Sequence, residues 1–213
     1  MSATPSKRSP RKSAPSAADD VARRRVLAAA RQRFLSRGFR SVTMDELAEE
    51  LGMSKKTVYI QFPSKAALLE AVVADKFGEL QAELMGIVSE CSADFSTRLH
   101  RLLACLHQHT DEIKPPFVRD VQREAPELFE AIRTKRRDLI QRSFGKVFSQ
   151  GCREGLIRND LAIPVMIEIL LGAVDAVMNP AKITELDLTP QGAFSGIISV
   201  ILKGVLTPRG RAK

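Results

Sequence analysis

The chain has 213 residues, 44% of them hydrophobic, with a formal charge of +8 and an isoelectric point near 9.7. That is enough apolar material for one large or two small cores, and the basic balance favours a polyanionic partner, nucleic acid or an acidic membrane surface. Three scattered cysteines, Cys91, Cys105 and Cys152, exclude a disulfide framework and a CxxC redox pair, which points to a reducing, cytoplasmic setting.

Residues 1–18, MSATPSKRSPRKSAPSAA, carry Lys7, Arg8, Arg11 and Lys12, no acid and almost nothing to bury. They read as a disordered basic tail, either a solvated leader or an arm reaching DNA phosphates or a minor groove. No apolar run precedes a small-residue cleavage pattern, so a secretory leader is not expected. Thirteen Lys/Arg against six Asp/Glu fall in residues 1–62, which puts +7 of the charge there. Helical periodicity then dominates, no strand-like alternation emerges, and the expected class is all-α.

From Asp20 onward Val26, Leu27, Ala30 and Phe34 recur at helical spacing, Gly38 supplies a stop, and Arg23, Arg24, Arg25, Arg31, Arg33 and Arg37 occupy the other faces. Thr43-Met-Asp-Glu46 is a capping box that opens a second helix lined by Met44, Leu47, Ala48 and Leu51. Gly52 suits the left-handed conformation that ends it, and Ser54 caps a third helix in which Val58 and Phe62 point inward. Lys55, Lys56, Thr57 and Tyr59 are thereby turned to other faces. Two short helices about a tight glycine turn describe a helix-turn-helix, whose second helix enters the DNA major groove. Its lysines would neutralise phosphates, and the Thr57 hydroxyl and Tyr59 phenol would donate to phosphate oxygens. Gln61 would donate to a phosphate or read an adenine edge, and Ile60 would touch a thymine methyl or be buried.

The stretch RFLSRGFRSVTMDELAEELGMSKKTVYIQFPSKAALL, within residues 22–73, resembles the tetracycline-repressor (TetR-like) family of transcriptional regulators. It has the aromatic-then-Gly end of the first helix, the Thr opening the second, the Leu-Gly-Met-Ser turn, the Tyr in the recognition helix and the Phe-x-x-Lys-x-x-Leu-Leu that follows. The resemblance implies structural roles for Leu47, Ala48, Leu51, Gly52, Met53 and Val58, and DNA contacts from Thr43, Lys55, Lys56, Thr57, Tyr59 and Lys65, beside the Ser54 cap. Lys56 stands where many relatives carry glycine, and Ile60-Gln61 where many carry an aromatic pair.

Ser64 opens a long helix carrying Leu68, Leu69, Val72, Val73, Phe77, Leu80, Leu84 and Ile87, a candidate lever between the DNA module and a second unit. Phe95, Leu99, Leu102, Leu103 and Leu106 continue the pattern until Pro115-Pro116. A short helix with Phe117, Val118 and Val121 precedes Pro126, which opens another bearing Leu128, Phe129, Ile132, Leu139, Phe144, Val147 and Phe148. The cationic stretch 133–138, RTKRRD, is a solvated face or a contact for a phosphate or acidic ligand. Leu102, Leu106, Phe117, Val121, Phe129, Phe144 and Phe148 are the candidates to line a small-molecule pocket, alongside plain core roles.

Helices over 164–178 and 190–206 are apolar on more than one stripe, which calls for an inner position or a partner. Ile167, Leu170, Leu171, Val174, Phe194, Ile197, Ile198, Ile201 and Leu202 are the expected homodimer interface, a four-helix arrangement about a two-fold axis; an internal hairpin is the alternative. Glu168 and Asp175 interrupt the first stretch, and it falls short of the ~20 apolar residues of a membrane span. His100 and His107 share a helical face, His109 projects elsewhere, and Cys105 reads as a small core residue, so no metal site and no cofactor are expected. No Gly-rich phosphate loop or Ser/His/Asp order marks an enzyme.

The expected organisation is therefore a tail over 1–18, a DNA-binding unit over 19–65, a ligand-binding and dimerisation unit over 66–207 and a second tail over 208–213. Its expected function is a ligand-responsive regulator, a repressor by family habit, binding a palindromic double-stranded operator as a homodimer under control of an unidentified small-molecule effector, with no membrane partner. The rival is a non-enzymatic all-helical adaptor that sets its basic module on an acidic protein or membrane surface.

Overall fold

Helix ends fall where the punctuation residues stand. The computed structural model describes residues 17–90 and 93–211, which form eleven α-helices and, among the described residues, no strand beyond one antiparallel bridge between Ile157 and Leu206. In chain order these are α1 (Ala17–Arg37), α2 (Met44–Glu50), α3 (Lys55–Gln61), α4 (Lys65–Ser89), α5 (Phe95–Asp111), α6 (Pro115–Glu124), α7 (Pro126–Arg153), α8 (Ile163–Val177), α9 (Pro180–Glu185), α10 (Pro190–Val205) and α11 (Pro208–Arg211). The side chains of Thr43, Ser54, Ser64, Asp94, Asn179 and Thr189 each accept a backbone N–H at a helix start, which satisfies donors that the helix itself leaves unpaired. The all-α class expected from the sequence is the class observed.

Both ends of the chain differ from the expected tails. Ala17 and Ala18 belong to α1, because Asp19 and Asp20 in its first turn complement the positive end of the helix dipole. The basic residues Lys7, Arg8, Arg11 and Lys12, and with them the proposed DNA arm, lie outside the described residues, as does Cys91. At the other end α11 is seated on the α7–α8 connection: the Thr207 N–H donates to the Leu156 carbonyl at 3.0 Å, and Gly210 packs so closely that a Cβ there would lie 2.3 Å from the same oxygen.

The buried apolar residues form two cores. One gathers Val26, Ala30 and Phe34 of α1, Leu47 and Ala48 of α2, Val58 of α3, Phe62, and Leu68, Leu69, Val72 and Val73 of α4. The other gathers Leu84 and Val88 at the far end of α4 with α5, α7, α8 and α10. α4 thus serves both, and at about 1.5 Å per residue its 25 residues span roughly 37 Å. α6 and the start of α7 also join the first core, through Phe117 and Val121 with Leu128, Phe129 and Ile132 packed against them.

Between the cores sits a cluster of charges. Lys76 of α4 is only 6% exposed, and its ammonium lies 2.6 Å from Glu112 Oε2 at the end of α5 and 3.7 Å from Glu79. Arg31 of α1 donates to Asp75 at 2.9 Å and also pairs with Glu79 and Glu112. Burial would push the Glu112 carboxyl up, but the hydrogen bonds and charges of Lys76 and Arg31 outweigh it and hold the group below the usual carboxylate range. Its stabilising contribution is therefore complete above that range and is lost as pH falls through it towards the depressed value. Glu112→Gln leaves Lys76 short of its nearest counter-charge and should cost about 1–3 kcal/mol at neutral pH. Urea unfolding at a series of pH values should show a lower midpoint at pH 7 and a shallower acid-side decline than the parent.

Candidate nucleic-acid interface

The turn between α2 and α3 is built by local rules. Gly52 has φ +62°, the left-handed region, and follows Leu51 at the end of α2. The Met53 N–H returns to the Ala48 carbonyl at 2.9 Å and the Gly52 N–H to Glu49 at 3.0 Å, the paired hydrogen bonds of a Schellman cap. Ser54 Oγ then accepts the Thr57 N–H at 3.1 Å and starts α3. Upstream, the Thr43 box closes in both directions: the Thr43 N–H donates to Glu46 Oε2 at 2.8 Å and the Glu46 N–H to Thr43 Oγ1 at 3.1 Å. Its backbone and side-chain hydrogen bonds with Thr43 hold the Glu46 carboxyl below its ordinary range.

This frame buries Val58 and Phe62 and leaves the opposite side of α3 in solvent. Ser54, Lys55, Lys56, Tyr59 and Ile60 are exposed, Thr57 and Gln61 half-buried, and Thr43 is exposed beside them at the head of α2. Tyr59 is 45% exposed and Ile60 65%, so two large side chains keep much of their surface in solvent on this side of α3. Lys56 has no ion-pair partner among the described residues. Lys55 does: its ammonium reaches Asp45 Oδ2 at 2.5 Å, which raises its pKa. Lys65 is turned partly inward, its ammonium 4.4 Å from the centre of the Phe39 ring and 3.3 Å from the Arg40 carbonyl, and burial lowers its pKa.

The arginines of α1 hold the motif in place. Arg23 donates to the Gln61 carbonyl at 2.7 Å and lies over the Phe62 ring at 4.2 Å, capping the end of α3. Arg25 donates to the Leu51 carbonyl at 3.0 Å, and Arg33 pairs with Glu50, so the end of α2 is held too. From the other side, Asp120 of α6 accepts the Arg40 N–H at 2.9 Å. Gly38, at φ +96°, leaves room for it, since a Cβ there would lie 2.5 Å from that carboxylate.

The other expected sites are rearranged. Phe117, Val121 and Phe129 lie in or against the first core, whereas Leu102, Leu106, Phe144 and Phe148 lie in the second. The seven residues therefore do not line one cavity, and none of them borders the cleft of about 500 Å3 formed by α1 with Asp75 and Glu112. The stretch 133–138 ties α7 to α8, with Arg136 donating to Asp175 at 2.8 Å and Arg137 pairing with Glu168, the two acids that interrupt the apolar helix.

Of the residues expected at a dimer interface on α8 and α10, Ile167, Leu170, Leu171, Val174, Phe194 and Ile197 are buried inside the protomer, and Ile198, Ile201 and Leu202 are half-buried. Both helices are apolar on two sides, and the second core fills one. The outward side carries Val165, Ile169 and Gly172 on α8 and Gly196, Val200 and Gly204 on α10, with Ile169 50% and Val200 71% exposed. No helix among the described residues is long and apolar enough to cross a membrane.

Because the Lys55–Asp45 pair is exposed, it contributes little to folding, yet it places an anion and a committed ammonium on the surface that would meet phosphates. Asp45→Asn should leave thermal unfolding unchanged within a degree or two and tighten duplex DNA binding several-fold at low salt. Equal affinity for parent and variant in a fluorescence-anisotropy titration would mean that this edge of the motif does not approach DNA.

Comparison with known proteins places this geometry. Residues 26–72 match the family model described as bacterial regulatory proteins, tetR family, a span that begins in α1 and ends in α4. The uncharacterized HTH-type transcriptional regulator YvaF of Bacillus subtilis (strain 168) is 21% identical over 184 residues, covering 85% of this chain and 94% of its own. A TetR-family transcriptional regulator from Agrobacterium tumefaciens shares the fold with a TM-score of 0.67 at 16% identity, over 89% of this chain and all of its own. SmeT of Stenotrophomonas maltophilia, solved in complex with triclosan, does so with a TM-score of 0.62 at 17% identity over 88% and 93% of the two chains. With the glycine turn, the capped third helix and the bundle behind it all in place, residues 26–72 carry the segment that the tetR family model describes, and the chain has the fold of solved TetR-family regulators.

Proposed function

We propose that the chain binds a palindromic operator as a homodimer and releases it when a small molecule enters the C-terminal helices, acting as a repressor. The observation that carries this reading is the unpartnered recognition surface: Lys55, Lys56, Tyr59 and Ile60 stand exposed on a helix whose other side is locked into the core. Thr43, Ser54, Thr57 and Gln61 flank it with groups able to hydrogen-bond phosphates or base edges, and Lys65 backs it from the start of α4. The DNA-binding unit runs to about residue 65, and residues 66–207 form the effector and dimer unit.

Each protomer places α3 in one major groove, with half-sites about one helical turn (~34–36 Å) or a multiple apart. The effector binds among the second-core members of the pocket set, Leu102, Leu106, Phe144 and Phe148, and favours the protomer arrangement in which the two α3 helices no longer match that spacing. α4 carries the change because its two ends belong to the two cores, and Asp120 on α6 gives a second connection to the DNA-binding unit. SmeT, which shares the fold, forms a complex with triclosan, and this supports a small-molecule ligand for this chain.

Dimerisation uses the outward side of α8 and α10. Gly172, Gly196 and Gly204 support it: a Cβ at any of the three would meet nothing within 4 Å inside the protomer, so intrachain packing does not require glycine there.

Two experiments test the reading. Replacing Lys55, Lys56 and Tyr59 together by alanine should weaken binding to an operator selected from a random DNA pool and reduce the slope of log K against log salt by about 2, one for each lost lysine–phosphate contact. An unaltered slope removes α3 from the DNA. Ile169→Glu with Val200→Glu should convert dimer to monomer in sedimentation at micromolar concentration without loss of helical circular dichroism. A dimer that survives both charges does not use this face.

A further inference from the structure

We propose that Glu83, Cys105 and His109 form a binding site for a divalent transition-metal ion of the zinc class. Cys105 and His109 are four residues apart on one face of α5, and Glu83 reaches them from α4. Both side chains converge on the same oxygen: His109 Nε2 lies 3.1 Å from Glu83 Oε2, and Cys105 Sγ lies 3.4 Å from it. One donor atom from each residue falls within 4.8 Å of the other two. With Zn–N and Zn–O bonds near 2.0 Å and Zn–S near 2.3 Å, the edges of a tetrahedral site are about 3.3–3.5 Å. The two spacings therefore already approximate two edges of such a site, and closing the third needs only side-chain rotation.

The surroundings favour a ligand over a plain core role. His109 is only 4% exposed, and its Nδ1 has no hydrogen-bond partner among the described residues. Its Nε2, 3.1 Å from Glu83 Oε2, is the nitrogen that faces the point where the thiol and carboxylate converge, so the neutral ring can present that lone pair to an ion. Glu83 is exposed at its solvent end, which gives an ion a way in and leaves a fourth position for water. The neighbouring Lys76 ammonium is held by Glu112 at 2.6 Å. On binding, the Cys105 thiol gives its proton to solvent and bonds as thiolate; thiolate and carboxylate together neutralise the two positive charges, and the imidazole binds neutral. Neither His100 nor His107 takes part: His100 Nδ1 lies 2.8 Å from the Ser96 carbonyl, and the His107 ring stacks on Phe194 at 5.8 Å.

The test uses Co2+ as a spectroscopic stand-in for zinc, titrated into the chelator-treated full-length protein. The proposal expects one ion per chain, a sulfur-to-cobalt charge-transfer band in the near ultraviolet, intense visible absorption of tetrahedral type, and loss of both on adding Zn2+. Cys105→Ser should abolish the charge-transfer band while Cys152→Ser leaves it. Glu83→Gln, a change at an exposed position that spares the fold, should weaken Co2+ binding tenfold or more. The site is overturned if no such band forms, if it survives Cys105→Ser, or if Glu83→Gln binds Co2+ as the parent does.

Discussion

One helix belongs to two cores, and that constraint organises the molecule. Leu68, Leu69, Val72 and Val73 of α4 are packed among α1, α2 and α3, while Leu84 and Val88 of the same helix are packed among α5 and α7. An α-helix is stiff over this length, so a tilt imposed at one end is delivered at the other. Midway, the Lys76 ammonium is buried against Glu112 and Glu79, and Arg31 crosses from α1 to the same acids. A buried charge stripped of its partner is costly, so these ion pairs tie α1, α4 and the end of α5 together around Lys76. The recognition helix inherits its position from that arrangement, since Arg23 of the same α1 caps α3.

Composition alone overstates the charge available to a polyanion. Most of the net +7 of the first 62 residues comes from arginine and lysine in α1, α3 and the undescribed tail, and much of the α1 share is already engaged. Arg23 and Arg25 close the ends of α3 and α2, Arg31 pairs across to α4, and Arg33 holds Glu50. Along α3 the exposed cations are Lys56 and Lys55, the latter paired with Asp45, with hydroxyl and amide donors around them. Arginine suits the first task because its planar fork can bond a carbonyl and lie on a ring at once, as Arg23 does with Gln61 and Phe62. Lysine suits the second, as a hydrated point charge that exchanges partners at little cost.

Local signals in the sequence translate directly into structure, and non-local ones do not. The Thr43 capping box, the Gly52 turn and the Ser54 cap each depend on residues within five positions, and each forms as its chemistry dictates. Helical periodicity located the inward stripes of α1, α2 and α3 for the same reason. The pocket set was split because nothing near Phe117 or Phe129 reveals that α6 packs on α1 rather than on α5. Residues 17–18 and 208–211 looked like tails because Ala, Arg and Gly carry no burial signal, although a dipole-favouring Asp pair and a close backbone contact order them. Spacing along α5 singled out His100 and His107, but the partner that matters for His109 comes from another helix. The second site of α8 and α10 was legible as apolar, and which of the two apolar sides faces inward was not.

The glycines of those helices carry the remaining argument. In a helix interior, glycine is less favourable than alanine by about 1 kcal/mol, and a close approach by another group is one reason to keep it, although Gly78 and Gly86 on α4 meet no such group inside the protomer. Gly151 on α7 has such a reason, because a Cβ there would come within 2.6 Å of the Phe95 ring. Gly172 on α8 and Gly196 and Gly204 on α10 have none inside the protomer, yet they recur on the outward side beside Ile169 and Val200. A surface that gives up helix propensity and also exposes large apolar groups is unfavourable for an isolated chain on both counts. Both costs are offset together if a second copy approaches closely enough for backbone to lie on backbone, with Ile169 and Val200 filling the gaps beside the glycines. In that proposed arrangement the inward faces would hold each protomer together and the outward faces the pair, which would account for two helices that are apolar on more than one side.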